Sequence, residues 1–341
     1  MKQYLLLVFS FFLLTACQKD PEIVTLSGKT MGTTYHIKYI TAEATQSAAD
    51  THEGVEKILK DVNDKMSTYI PTSELSRFNQ NRAVNTPIEI SADLAKVIGE
   101  AIRLNKVTQG ALDVTVGPLV NLWGFGPEKQ RVEKAPTQQQ LDERRAWVGI
   151  EKLTLSESAG KFYLEKAVPE LYVDLSSIAK GFGVDQVADY LESLHIGNYM
   201  VEIGGEIRAK GNNSENKPWQ IAIEKPTMDG SRSVEQVVGL HNLAMATSGD
   251  YRIYFEENGV RYSHEINPQT GRPIQHHLAS ITVLDPSSMT ADGLSTGLFV
   301  LGEDEALKVA EQQQLAVYLI IKTESGFEVK MSSAFKQLIN P

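Results

Sequence analysis

The chain has 341 residues, long enough for two domains or one large one. With 42% hydrophobic and 22% charged residues it has an ordinary globular composition, which excludes wholesale disorder. A formal charge of −10 argues against a general nucleic-acid binder, and a single cysteine excludes internal disulfides, thiolate zinc and iron–sulfur clusters.

Residues 1–17 read MKQYLLLVFSFFLLTAC. Lys2 gives a short positive start, 4–14 is an apolar run of signal-peptide length, and Leu14-Thr15-Ala16-Cys17 has the form of a bacterial lipobox. The expectation is a signal peptide over 1–16, a lipidated (palmitate-bearing) Cys17 as new N-terminus, and a tether to residue 24. The rest, 25–341, forms the working domain. The protein would be held at the cell envelope by acyl chains, facing the periplasm, with inner versus outer membrane left open. A buried apolar helix with a chance cysteine is the competing reading; the cysteine's standing alone at this spot favours lipidation.

Beyond the tether, 26–40 reads as two strands around a glycine-bearing bend. The apolar spacing predicts helices over 53–67 and 91–109, the latter ending on Gly110. A Gly/Pro-rich loop covers 124–136, and Pro136-Thr137 opens a helix to Arg145. In the second half, 171–175 reads as a strand, 179–193 as a helix and 199–209 as two strands broken at Gly204-Gly205. Further strands fall at 219–224, 243–247, 280–284 and 316–322, and helices at 289–301 and 303–312. Strands beside strands with helices set apart indicate an α+β fold.

Four clusters hold polar groups in patterns that suit chemistry. With a helix starting at Thr290, a good N-cap type, Asp292 and Thr296 stand one turn apart and offer two oxygen ligands to a hard cation such as Mg²⁺. The plainer reading is an Asp meeting the helix dipole and a Thr bonded back to a carbonyl. Around 173–183 a strand end with Asp174 meets a helix N-terminus that would favour an anion, with Lys180 adding charge; a capped helix with a solvated lysine is the alternative. Glu202-Ile203-Gly204-Gly205-Glu206 permits close backbone approach to a ligand, or is a plain bulge. In the fourth cluster His264 ends a strand before an Asn267-Pro268-Gln269-Thr270-Gly271 turn. His276-His277 shows no acidic or thiol neighbours and reads as solvent-facing or packing.

In this order the clusters resemble the ApbE family of Mg²⁺-dependent FAD:protein FMN transferases. The stretches that carry the resemblance are 28–33 (GKTMGT), 67–69 (STY), 110–126 (GALDVTVGPLVNLWGFG), 173–183, Gly204-Gly205, Thr247-Ser248-Gly249, 264–273 and 292–296. It implies a two-subdomain, T-fold-related α+β architecture with FAD in the cleft. The implied reaction moves the FMN half of FAD to a threonine hydroxyl of an acceptor protein and releases AMP. The implied acceptors are flavin-carrying subunits of membrane redox pumps, such as the sodium-pumping NADH dehydrogenase. Carried over by residue, Asp292, the Thr296 hydroxyl and the Ser177 carbonyl would hold Mg²⁺. Met31, Tyr69, Ala111, Leu112, Asp113, Asp174, Lys180 and Ile266 would line the FAD pocket. His264, near the pyrophosphate, would orient the phosphate or take the hydroxyl proton. Thr296 stands where the acceptor motif requires glycine, so the chain is not expected to flavinylate itself. A Mg²⁺-dependent FAD pyrophosphatase yielding FMN and AMP, and a flavin-binding lipoprotein without chemistry, are the rival functions.

Overall fold

The computed structural model describes residues 22–41, 45–127, 135–226, 233–249, 254–257 and 260–339. The expected signal peptide, Cys17 and the tether up to residue 21 lie outside the described residues, as does 128–134 of the expected loop. In chain order the strands are β1 (Ile23–Thr30), β2 (Thr33–Ile40), β3 (Ile88–Ile90), β4 (Leu153–Ser158), β5 (Lys161–Lys166), β6 (Tyr199–Ile203), β7 (Glu206–Lys210), β8 (Trp219–Lys225), β9 (Ser233–Leu240), β10 (Leu243–Gly249), β11 (Tyr254–Glu257), β12 (Val260–Ser263), β13 (Ile266–Asn267), β14 (Arg272–Pro273), β15 (Leu278–Asp285), β16 (Ala316–Thr323) and β17 (Gly326–Met331). The helices are α1 (Ala48–Met66), α2 (Glu74–Gln80), α3 (Ala92–Val107), α4 (Gly117–Leu122), α5 (Gln138–Arg145), α6 (Ala179–Ser193), α7 (Ser288–Leu301), α8 (Glu303–Gln313) and α9 (Ser333–Ile339).

Eight strands pair antiparallel in one sheet, in the order β1-β2-β6-β7-β10-β15-β16-β17. The central strands are buried on both faces. Along β16, Val317, Leu319 and Ile321 join the core under α3, α7 and α8, while Ala316, Tyr318 and Ile320 join the one under the β8–β9 hairpin and α9. That is the period of two a strand imposes. A third core lies between α1, α6 and β1, β2 and β6. A smaller one gathers Leu119, Trp123, Leu141 and Ile266. The mixed helix and sheet content agrees with the α+β expectation.

Local chemistry places most ends where the sequence puts them. Ser91 caps α3 through Leu94 N–H, and Thr137 with Gln140 forms a reciprocal capping box on α5. The expected strand at 171–175 is a correction. Tyr172 alone makes a bridge, to Val116. Asn79 on α2 stands in for a neighbouring strand: its Nδ2 donates to the Val173 carbonyl at 2.8 Å and its Oδ1 accepts from the Val173 N–H at 2.8 Å. Buried backbone groups need partners, and a side-chain amide serves them as well as a ladder does. Lys166 braces the same place, its buried ammonium donating to the carbonyls of Phe78, Asn79 and Leu171 at 3.2–3.3 Å.

Among the described residues no helix is long and apolar enough to cross a membrane.

Candidate active site

Two helix N-termini meet at the site, each capped by a carboxylate of the other helix. The N-cap of α6 is Ile178, which offers no side-chain cap; Asp292 Oδ2, one turn inside α7, accepts from the Gly181 N–H at 2.9 Å instead. In return Asp185 of α6 accepts from the Ser288 and Met289 N–H groups, both at 3.0 Å, and from Ser287 Oγ at 2.7 Å. This cross-capping corrects the expected start of α7. Ser287, not Thr290, is the N-cap, and the Thr290 hydroxyl donates to Glu100 at 2.7 Å. A Cβ on Gly181 would stand 2.2 Å from the Ser288 carbonyl oxygen, so glycine is what allows this approach.

Asp292 and Thr296 remain on one face of α7, four residues apart. Ser248 on β10 holds that face from the sheet side, its Oγ 2.9 Å from Ser295 Oγ and 3.4 Å from Thr296 Oγ1. Ser295 also donates to the Asp292 carbonyl at 3.0 Å. Ser177 sits in the turn entering α6, where the N–H groups of Ile178 and Ala179 both donate to Leu175 O. Just before it Asp174 is fixed by the Ser176 N–H at 2.9 Å and Ser176 Oγ at 2.6 Å.

Electrostatically the site is a half-buried lysine among carboxylates. Lys180 Nζ lies 2.6 Å from Glu206 Oε1 and 3.9 Å from Asp292 Oδ1. Burial works against its charge, but Asp292, Glu206 and Glu265 outweigh burial and hold the amine protonated above its ordinary range. Burial likewise raises the Glu206 and Asp292 carboxyls, and Lys180 pulls each back toward ionisation.

The remaining expected pocket residues gather around these helices to different degrees. Met31, at the β1–β2 turn with φ +48, presses its methyl against α6 at Gly183. Leu112 packs on α7 at Gly293 and Gly297, and Ala111 beside it is buried. Tyr69 is 65% exposed, within electrostatic reach of Asp174, and its hydroxyl reaches the Phe125 carbonyl at 3.4 Å. Phe125 meets the His264 ring edge-on at 6.4 Å, and His264 Nε2 lies 3.2 Å from Glu265 Oε1. Asp113 spends its oxygens on Thr115 and the Ile150 N–H, beside a recess of about 240 Å³ lined also by Gly110, Gly149 and Gln269. Ile266 buries its side chain in the cluster with Leu119 and Trp123, so its backbone is what it can offer a ligand. Sequence reasoning gave no role to Glu206, Glu265 or Ser248, although each falls inside a quoted motif. His276 packs, as one of its two readings had it, with its ring edge-on to Phe299, but it does have an acidic neighbour, Glu303, 4.0 Å from its Nδ1.

Among the described residues no group of three or more His, Cys, Asp or Glu could hold a metal ion. A cation here would draw on one carboxylate with hydroxyl and carbonyl oxygens, a hard donor set of the kind Mg²⁺ accepts when phosphates and water complete its shell. Asp292 Oδ1 fits that role, since the nearest ammonium stands 3.9 Å away, outside hydrogen-bonding range.

The profile of the ApbE family matches residues 31–319. The chain is 72% identical over 326 residues to the FAD:protein FMN transferase of Haemophilus influenzae, covering 95% of this chain and 94% of that one. It is 54% identical over 340 residues to the protein of the same name from Vibrio cholerae, spanning 100% of both. Among solved structures, flavin transferase ApbE from Vibrio cholerae matches with TM-score 0.86 at 54% identity, over 93% of this chain and 99% of that one. Pseudomonas stutzeri flavinyl transferase ApbE, in its apo form, matches at 0.85 and 38% identity, over 94% and 98% of the two chains. With most of its length matched by the profile and with relatives this similar from end to end, the chain belongs to the ApbE family.

Proposed function

We propose that this protein is an FAD:protein FMN transferase that moves FMN from FAD to a threonine hydroxyl of an acceptor protein and releases AMP. The observation that carries this reading is the meeting of the α6 N-terminus, Lys180 and Asp292. The positive end of a helix dipole and an ammonium suit a diphosphate, and Asp292 brings a hard oxygen donor beside them from α7. Relatives bearing that enzyme name along nearly the whole chain support it.

Asp292, the Thr296 hydroxyl and the main-chain carbonyl of Ser177 would hold Mg²⁺. What the ion supplies when bound is positive charge against the diphosphate and the departing AMP oxygen. The chain's own residues do the rest. The α6 N-terminus and Lys180 draw in the diphosphate. Ser248 keeps the Thr296 hydroxyl in place. FAD lies in the cleft, with Met31, Tyr69, the 111–113 segment, Asp174 and the Ile266 backbone along its walls. His264, steadied by Glu265, takes the proton of the attacking threonine hydroxyl, in line with the leaving oxygen.

Incubation with FAD, Mg²⁺ and a flavin-carrying subunit of a membrane redox pump tests this. The expected result is AMP in solution and a covalent flavin on an acceptor threonine, read by mass spectrometry. AMP and free FMN with an unmodified acceptor would make it a pyrophosphatase, and flavin bound without AMP a binding protein.

The N-terminal segment adds a location. We propose that Cys17 carries the acyl chains that hold the domain at the periplasmic side of a membrane. Cys17→Ala is expected to move the protein from the membrane fraction to the soluble one, and an unchanged distribution on immunoblots would end this reading.

A further inference from the structure

Resting on the cation site proposed above, we infer that Glu206 is a positioning residue: it holds the Lys180 ammonium clear of Asp292 and so keeps that carboxylate open to a divalent ion. Glu206 opens β7 directly after the Gly204-Gly205 turn and is 4% exposed. Oε1 takes Lys180 at 2.6 Å, while Oε2 is buried with no hydrogen-bond partner among the described residues. A buried carboxylate with one oxygen unpaired is a poor stabilising device, because apolar groups of similar volume usually serve the fold as well.

The turn before Glu206 is shaped for the same task. Gly204 has φ +61, and a Cβ there would stand 2.8 Å from Thr33 Cγ2 and 3.3 Å from Lys180 Cδ. Glycine therefore lets the lysine stem run along the turn toward Glu206. Three carboxylates compete for that ammonium: Glu206, Asp292 and Glu265. Glu206 has it at contact, and Asp292 is left at 3.9 Å. Lysine is a compact charge on a flexible stem. Without the Glu206 charge it swings to Asp292 and occupies the oxygen that a metal would use.

The readout is Mn²⁺ affinity of the full-length protein, followed by the electron paramagnetic resonance of the free ion with no FAD or acceptor present. Glu206→Gln weakens Mn²⁺ binding by about tenfold or more, because the ammonium on Asp292 must first be displaced. In Lys180→Met/Glu206→Gln no ammonium competes, and affinity returns to within about threefold of wild type. The double variant removes both members of the Lys180–Glu206 pair, so neither is left facing an absent partner, and it decides the matter even where the single variant fails to fold. A single variant with wild-type affinity, or a double variant as weak as tenfold below wild type, overturns the inference. A wild-type protein that binds no Mn²⁺ removes the cation site itself, which is a failure of the earlier reading and not of this one.

Discussion

Asp292→Asn is expected to lower Mg²⁺-dependent AMP release from FAD by about a hundredfold to a thousandfold, in the range seen when one preorganised electrostatic contact is removed. Asparagine is the informative replacement because Asp292 has two tasks on separate oxygens. Oδ2 caps α6 through the Gly181 N–H at 2.9 Å, and an amide oxygen continues that bond. Oδ1 faces Lys180 at 3.9 Å and is the oxygen assigned to the ion. The amide therefore removes the charge and spares the cap, while Lys180 keeps Glu206 at 2.6 Å. Alanine would also uncap α6, at a cost of about 1 kcal/mol, and so mix a folding defect into the kinetics. Chromatographic AMP assays beside urea unfolding separate the two effects. An Asp292→Asn protein turning over at the wild-type rate would withdraw Asp292 from the metal site.

What could be read from the sequence was whatever local spacing controls. The stripes behind α1 and α3, the opening of α5 at Thr137, the β1–β2 turn and the paired glycines between β6 and β7 all depend on neighbours within a few positions. The misreadings share a different cause. Residues 171–175 alternate as a strand does, yet Asn79, far back in the chain, serves Val173 in place of a ladder. Thr290 has the chemistry of an N-cap, but Asp185 draws the start of α7 back to Ser287. At the site, Asp292 and Gly181 are 111 positions apart, and their meeting follows only from how α6 and α7 cross. The resemblance to the ApbE family carried Asp292, Thr296 and Ser177 as a set before any geometry was available. It gave no role to Glu206, because a buried carboxylate's partner depends on which side chains the sheet brings together.

The largest effect on stability is expected at the other half of the cross-cap. Asp185 is 6% exposed and uses both oxygens: Oδ1 accepts from the Ser288 N–H and Arg208, and Oδ2 from Ser287 Oγ and the Met289 N–H. Asp185→Ala leaves the N–H groups of Ser288 and Met289, both buried, without their acceptor. It also strips a buried partner from Arg208, which keeps Asp189 and Glu192. Leaving those two buried N–H donors unsatisfied costs about 1–3 kcal/mol each. Asparagine should rescue little here, in contrast to position 292, because its amino group must face a donor whichever way it turns. The same loss loosens the first turn of α7 against Gly181, so AMP release should fall as well, even under conditions where the variant remains folded. Urea unfolding followed by circular dichroism measures the first effect and AMP release below the transition the second. A loss of less than about 1 kcal/mol would mean that hydrophobic packing between α6 and α7, not the paired carboxylates, sets how these helices cross.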